Sequence, residues 1–252
     1  MTAVLTDHTD EIAYLTLNRP QCLNAINKDV LQELDAGLER AETDDRVRVI
    51  LLTGAGSAFC AGDDLVELAE SPVSRAETEA GIGTLQRITE RIMLGSKPVV
   101  CAVNGWAIGG GATWPLNADI AVWSREAKIR FPEAGHGLFP SGGATWLLEQ
   151  FCGPHRAMEI LLHGETLDGA QLIDDRIAKH LVAPETLLDE AHQSIKRLLN
   201  LPGDTLKRYK SARQASFKVP LERALEAERQ RMIEAVLALT ESGLYPEIKR
   251  HA

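Results

Sequence analysis

The chain has 252 residues, of which 44% are hydrophobic and 25% charged, and its formal net charge is -9. Such a chain can bury a sizeable core. Its excess of acidic residues disfavours a nucleic acid as partner, because proteins bind nucleic acids largely by placing Lys and Arg side chains on the phosphates. The longest apolar runs fall far below the ~20 residues that span a bilayer. Residues 1–20 contain acids and no continuous apolar run. We therefore expect a cytoplasmic protein without a secretory signal or a membrane-spanning segment, which binds neither membranes nor nucleic acid.

The first part of the chain alternates between strand and helix patterns. Residues 11–18 alternate apolar and polar side chains, which predicts a strand that Arg19-Pro20 ends. Apolar residues at helical spacing follow Asn27, a suitable N-cap, and residues 46–53 predict a second strand. Residues 64–67 match a capping box that would open a short helix.

The alternation continues along the chain and predicts an α/β fold with a largely parallel sheet, built from ββα-like turns. After about residue 185 the pattern is helical, and the last helix ends at Gly243. Its apolar stripe favours core or subunit interface over a cofactor site. The further predicted elements are a helix over 82–93, a strand over 99–103, a helix from Gly109 to Asn117 and strands over 119–123 and 128–131; the stripe is Leu221, Leu225, Met232, Val236 and Leu239.

Cysteine spacing and missing motifs narrow the chemistry. The four cysteines are scattered, without a CxxC pair or histidines at zinc-ligand spacing, so we expect reduced thiols and no metal site. The sequence has no GxSxG, GxxxxGK or HExxH motif. These absences remove the commonest serine hydrolases, NTPases and metalloproteases.

Three consecutive glycines, Gly109–Gly111, lie where an apolar strand gives way to a predicted helix. Glycine lets a ligand or another backbone come close, and the first N–H groups of a helix have no internal partner. A second glycine-containing turn spans Ser57–Asp64. Two such N–H donors that converge on one point would form an oxyanion hole, although glycine runs also serve tight helix–sheet packing.

Glu133 follows Phe131-Pro132 at the end of a predicted strand, in apolar surroundings. Desolvation there would raise the pKa of its carboxyl, which suits a general base near neutral pH. The alternative is a solvated loop acid, and Glu133 alone favours that alternative.

Five segments together resemble the crotonase superfamily of enoyl-CoA hydratases and isomerases. The resemblance implies a spiral of ββα units over residues 1–195 that carries the acyl-CoA site, and a helical oligomerisation region over 196–252. It further implies a coenzyme A thioester substrate, no separate cofactor, and a homotrimer or dimer of trimers. The segments are NRPQCLNAI (18–26), FCAGDDL (59–65), NGWAIGGGA (104–112), FPEAGHGLFPSGG (131–143) and DGAQLIDDRIAKHLV (168–182).

The resemblance also implies roles for individual residues. The backbone N–H groups of Asp63 and Gly110 would form the oxyanion hole, and Glu133 would be the catalytic carboxylate. Asp63 stands where a small uncharged residue is usual, and Val66 where hydratases often carry Lys near coenzyme A phosphates. The implied substrate- and coenzyme A-binding positions are Ala25, Ala61, Asp63, Asp64, Leu65, Val66, Gly109, Gly110 and Thr113.

Thr113 occupies the position at which hydratases of the family carry a second Glu. A hydroxyl cannot carry a proton to and fro at neutral pH as Glu can. Adding water uses both acids, whereas moving a double bond needs only one base. The sequence therefore favours enoyl-CoA double-bond isomerisation by Glu133, ahead of hydration and then of thioester hydrolysis or decarboxylation.

Two different kinds of protein remain as alternatives. Gly54-Ala55-Gly56 after a strand suggests a dinucleotide-binding oxidoreductase, but Phe59 stands in place of the third glycine. The second alternative is a protein that binds acyl-CoA without catalysis, because one of the two catalytic acids is replaced by Thr113. Near the site, we expect His136 and Trp114 to be packing residues more often than functional ones, and Asp119 to be a structural cap.

Overall fold

The computed structural model describes residues 2–64 and 74–242. None of the helices in this part of the chain is long and apolar enough to cross a membrane. The strands are β1 (Val4–Thr9), β2 (Ile12–Leu17), β3 (Val49–Gly54), β4 (Ala58–Cys60), β5 (Val99–Val103), β6 (Trp106–Ile108), β7 (Ile120–Ser124), β8 (Lys128–Arg130), β9 (Thr166–Leu167) and β10 (Leu181–Val182). The α-helices are α1 (Lys28–Thr43), α2 (Arg75–Leu94), α3 (Gly110–Asn117), α4 (Ala144–Cys152), α5 (Pro154–His163), α6 (Gly169–Asp174), α7 (Leu187–Leu199) and α8 (Thr205–Ser242).

The strands form two sheets. The larger has the order β1-β2-β3-β5-β7-β10, with β1 and β2 antiparallel and the following pairs parallel. The smaller has the order β4-β6-β8-β9, in which β4, β6 and β8 run parallel. Consecutive strands such as β3 and β4, or β5 and β6, therefore lie in different sheets. This alternation is the expected spiral of ββα units.

The larger sheet is covered on both faces, so its central strands are apolar throughout. Val49 and Leu51 of β3 pack with α7, whereas Ile50 and Leu52 belong to the main core with α1 and α2. Because side chains alternate along a strand, one apolar run serves both faces. All five residues of β5 are buried.

Most predicted elements are present, with shifted boundaries. The side chain of Asn27 accepts a hydrogen bond from the N–H of Val30, so α1 begins at its predicted cap. The strand predicted over 46–53 begins at Val49 instead, because Arg46 is bound to Asp44 in the preceding turn. The capping box predicted over 64–67 extends beyond the described residues.

Short strands were missed in the glycine-rich segments. The strand that directly precedes the three glycines is β6, which belongs to the smaller sheet and follows the predicted strand β5. In the second glycine-containing turn, the structure has the short strand β4. β1 was also missed. Strands of three residues are too short to show an alternating pattern.

The long helix α8 packs on α2 and α4 of its own chain, and Leu221, Leu225, Met232 and Val236 of its stripe are buried there. The predicted division at residue 195 falls within α7; the division itself stays a prediction. Lys210 fixes the start of α8, because its Nζ donates to the carbonyls of Ile92 and Lys97 and pairs with Asp119 at 2.7 Å.

Replacing this buried lysine tests how α8 is held. Lys210→Met should lower the free energy of unfolding by about 3 kcal/mol, because removing one partner leaves buried acceptors without a donor. Urea denaturation measures the change. Lys218→Met on the same helix is the matched control, because Lys218 is exposed and its ion pair with Glu222 is long, at 3.9 Å. This substitution should change the free energy of unfolding by less than ~0.5 kcal/mol. Equal effects would show that Lys210 does not anchor the helix.

Candidate active site

The three glycines form the junction between β6 and α3. Gly109 is the N-cap of α3 with a φ of 51°, and its N–H donates to the carbonyl of Arg130. Gly110 is the first helical residue, so its N–H has no acceptor within the helix. The eight residues of α3 are buried. The turn therefore combines an N–H without a partner in its helix with the positive end of a helix dipole.

No side chain fits at this junction. A Cβ at Gly111 would lie 2.5 Å from Sγ of Cys60, and one at Gly110 would lie 2.9 Å from Cδ1 of Leu85. A Cβ at Gly109 would lie 2.7 Å from Oε1 of Glu133. Glycine is thus required both for packing against β4 and for the approach of Glu133.

The second turn lies against the first. Gly62 has a φ of 80°, and a Cβ on it would lie 2.9 Å from the carbonyl oxygen of Ile108, next to Gly109. Ile26 pairs with this turn as in a parallel sheet, donating to Gly62 and accepting from Asp64. In that pattern the N–H of Asp63 points away from Ile26, and it has no acceptor in the described part of the chain. The two turns are therefore adjacent, and convergence of their N–H groups on one point stays a prediction.

The segment 18–26 tethers the second turn. Arg19 forms an ion pair with Asp64 at 2.9 Å and donates to the carbonyl of Ala25. Asn24 is buried, and its amide donates to the carbonyls of Ala55 and Ala58 on either side of the β3–β4 connection. The family resemblance includes this segment but implies no role for Arg19 or Asn24; their contacts hold the turn in place.

Glu133 begins a 3-10 turn directly after β8, and Oε1 lies beside Gly109. Oε2 is buried and has no hydrogen-bond partner among the described residues. Burial, followed by the charges of Asp63 and Glu228, raises the pKa of Glu133 to about 8. The alternative of a solvated loop acid is therefore wrong.

The Asp63 side chain is exposed, yet surrounding protein raises its pKa to about 6 by desolvation. The charge of ionised Asp63 acts on Glu133, which still holds its proton when Asp63 ionises. The two carboxyls therefore lie within electrostatic range of each other.

Thr113 is fully buried, and its hydroxyl donates to the carbonyl of Gly110 at 2.7 Å. Gly142 closes over it, since a Cβ there would lie 2.8 Å from Oγ1. The hydroxyl is thus bound within its own helix. Its predicted contact with substrate stays a prediction.

The helix α8 makes two contributions near the site, of which the sequence predicted only the apolar positions Met232 and Val236, as core or subunit interface. Glu228 is buried and accepts from the N–H groups of Gly143 and Thr145 and from the Thr145 hydroxyl, so it caps α4. An apolar cluster joins α2 and α8 to the segment that follows Glu133. Its members are Ile82, Met232, Ile233 and Val236, with Leu138, Phe139 and Leu237 packed against them.

The other predicted residues have varied surroundings. Trp114 is fully buried, as expected of a core residue, and His136 is partly buried. Asp119 accepts from the N–H of Val99 and pairs with Lys210, which is a structural role. Of the implied binding positions, Ala25 is buried and Ala61 partly buried, whereas Leu65 and Val66 lie outside the described residues.

Comparison with known proteins identifies the family. The model of the enoyl-CoA hydratase/isomerase family matches residues 7–244. The chain belongs to this family. It is 36% identical over 233 residues to the 1,2-epoxyphenylacetyl-CoA isomerase of Escherichia coli, covering 91% of this chain and 88% of that protein.

Further relatives are hydratases by name. The chain is 29% identical over 228 residues to the short-chain-enoyl-CoA hydratase of Clostridium acetobutylicum, covering 90% of this chain and 87% of the other. The crystal structure of an enoyl-CoA hydratase/isomerase from Pseudoalteromonas atlantica superimposes with a TM-score of 0.84 at 28% identity, covering 95% and 97% of the two chains. The crotonase fold expected from the sequence is confirmed, and the family contains both reactions.

Gly109→Ala should distort the site and the fold together. The φ of 51° and the 2.7 Å approach to Glu133 both oppose a Cβ, and backbone strain alone costs about 1–3 kcal/mol. Gly81→Ala is the matched control, because nothing lies within 4 Å of a Cβ there, and it should be neutral or stabilising by up to ~1 kcal/mol within α2. Thermal unfolding of both variants checks this, and similar melting temperatures would contradict the tight approach.

Proposed function

We propose that this protein isomerises enoyl-CoA thioesters by moving the double bond, with Glu133 transferring the proton. The observation that carries the proposal is the geometry at Gly109. There one carboxylate oxygen of Glu133 is buried without a hydrogen-bond partner among the described residues, and the second oxygen lies beside the glycine turn. The position three residues beyond Gly110 holds Thr113, whose hydroxyl is bound to its own helix. At positions 113 and 133 together, one acid and not two is therefore available to move protons.

The reaction has two proton transfers. The Glu133 carboxylate removes a proton from C2 of a 3-enoyl thioester, and the electrons of the C2–H bond delocalise over the diene and the thioester oxygen. The N–H groups of Asp63 and Gly110 stabilise that oxygen, a type of interaction worth about 2.7–4 kcal/mol per donor. The protonated Glu133 then donates to C4. The C3=C4 double bond becomes C2=C3, and Glu133 is ionised again.

Hydration is the second candidate, and the named hydratases among the relatives favour it. It requires a water that is oriented and deprotonated while C2 receives a proton. Thr113 cannot act as the second acid or base. A relative at 36% identity is named as an isomerase, of 1,2-epoxyphenylacetyl-CoA, which supports placing an isomerisation first.

The apolar cluster of α2 and α8 suits the acyl chain of such a thioester, because it adjoins the segment that follows Glu133. The coenzyme A moiety would be bound by the segments around Ala25, Ala61 and Gly109, as the family resemblance implies. We further propose a homotrimer or a dimer of trimers.

Assay of two substrates tests the proposal. A 3-enoyl-CoA should gain conjugated-thioester absorbance, and Glu133→Gln should lower kcat by at least ~100-fold, the usual contribution of a general base. Glu149→Gln removes a charge from an exposed position of α4 and is the control that should retain activity. If a 2-enoyl-CoA loses absorbance while the 3-enoyl-CoA gains none, hydration replaces isomerisation.

The pH dependence of kcat/KM reports the base in the free enzyme. Glu133 must be ionised to accept a proton, and its pKa is raised to about 8. The rate constant should therefore rise with pH and level off above about 8. A limb near pH 4.5, the ordinary pKa of Glu, would show that Glu133 is not desolvated in the free enzyme.

A further inference from the structure

We propose that the Asp63 side chain determines acyl specificity, by making the site select uncharged acyl groups over those that carry a carboxylate. The inference rests on the proposed function, because it requires an acyl thioester bound at the Gly110 turn. It concerns the side chain of Asp63, whereas the oxyanion hole uses only the backbone.

The direction of the side chain follows from the pairing with Ile26. Partners in a parallel bridge have side chains on the same face of the sheet. The Cδ1 atom of Ile26 lies 3.2 Å from the Cβ position of Gly110. The Asp63 carboxyl therefore leaves its turn on the face that contacts Gly110, which is where the thioester would bind.

Asp63 is also accessible to a ligand and lies close to a second acid. Its side chain is exposed, in contrast to its buried neighbour Gly62. Glu133 lies beside the Gly109 position and experiences the charge of Asp63. Two carboxyls thus lie near the place where the first carbons of an acyl group would bind.

The neighbouring charges do not offset this acidity. Arg19 lies near the same turn, but its guanidinium is bound to Asp64 and to the carbonyl of Ala25. Glu228 adds a third carboxyl that Glu133 experiences, and His136 is the remaining titratable group on the 3-10 turn of Glu133. A carboxylate on the acyl group would therefore lie near other negative charges, and none of the groups named here offers an unpaired cation to balance it.

Binding of two saturated thioesters tests the proposal without depending on turnover. Hexanoyl-CoA and adipoyl-CoA have the same chain length and differ in the terminal carboxylate. Calorimetry at pH 8 should show hexanoyl-CoA binding about tenfold more tightly, which corresponds to ~1.4 kcal/mol. Asp63→Asn should reduce the preference to less than about threefold, and Asp63→Glu should retain it.

Control measurements separate the role of Asp63 from net charge and from misfolding. Asp189→Asn removes the same charge from an exposed position of α7, on the other face of the larger sheet, and should leave the preference unchanged. In the wild-type protein the preference should shrink between pH 8 and pH 5, as both Asp63 and Glu133 become protonated while the acyl carboxylate stays largely ionised. This second measurement needs no variant.

The outcomes are distinct. Equal binding of the two thioesters by the wild-type protein, or an unchanged preference in Asp63→Asn, overturns the role of Asp63 and leaves the proposed function standing. Binding of neither thioester overturns both. If the wild-type protein prefers hexanoyl-CoA as expected but does not isomerise a 3-enoyl-CoA, only the proposed reaction is overturned.

Discussion

The active-site region depends on one constraint, the close approach of backbone at Gly109–Gly111. Here α3 starts directly from β6, and the backbone lies against Cys60 on one side and Glu133 on the other. Any Cβ would separate these groups. Because the eight residues of α3 are buried, the helix cannot move outward to make room. The position of the carboxylate is therefore set by core packing, which is more rigid than a surface loop.

The chemistry of the site follows from that rigidity. Glu133 is held where water cannot fully solvate it, and a second carboxyl on the Asp63 turn adds negative potential. A base that is poorly solvated in the free enzyme loses little hydration when substrate arrives. In the proposed reaction the backbone N–H groups of Asp63 and Gly110 would act in the opposite sense, since they would offer positive dipoles to the charge that develops on the thioester oxygen. Proton removal and enolate stabilisation would then come from opposite electrostatics at neighbouring groups.

Much of this arrangement was predictable from sequence, and the exceptions have physical causes. Regular elements with clear caps or periodicity, such as α1 after Asn27 and the buried β5, were predicted because local chemistry specifies them. β4 and β6 have three residues each and were missed, since their pairing comes from the partner strand and not from their own pattern. The capping of α4 by Glu228 was missed because 85 positions separate it from Gly143. The order of the motifs indicated the family. The surroundings of Asp63 and Thr113 could be described only from the folded structure, because they are formed by distant segments of the chain.

The raised pKa of Glu133 also links function to folding. Its pKa is about 8 in the native state against an ordinary value of 4.5, so folding takes up a proton between these pH values. The stabilisation from the neutral carboxyl is fully present below pH 4.5 and is lost as pH rises through 8. The protein is therefore least stabilised by this residue under the conditions in which the residue is ready to act as a base. Ligand binding at the site, which adds free energy to the native state alone, would offset that loss during turnover.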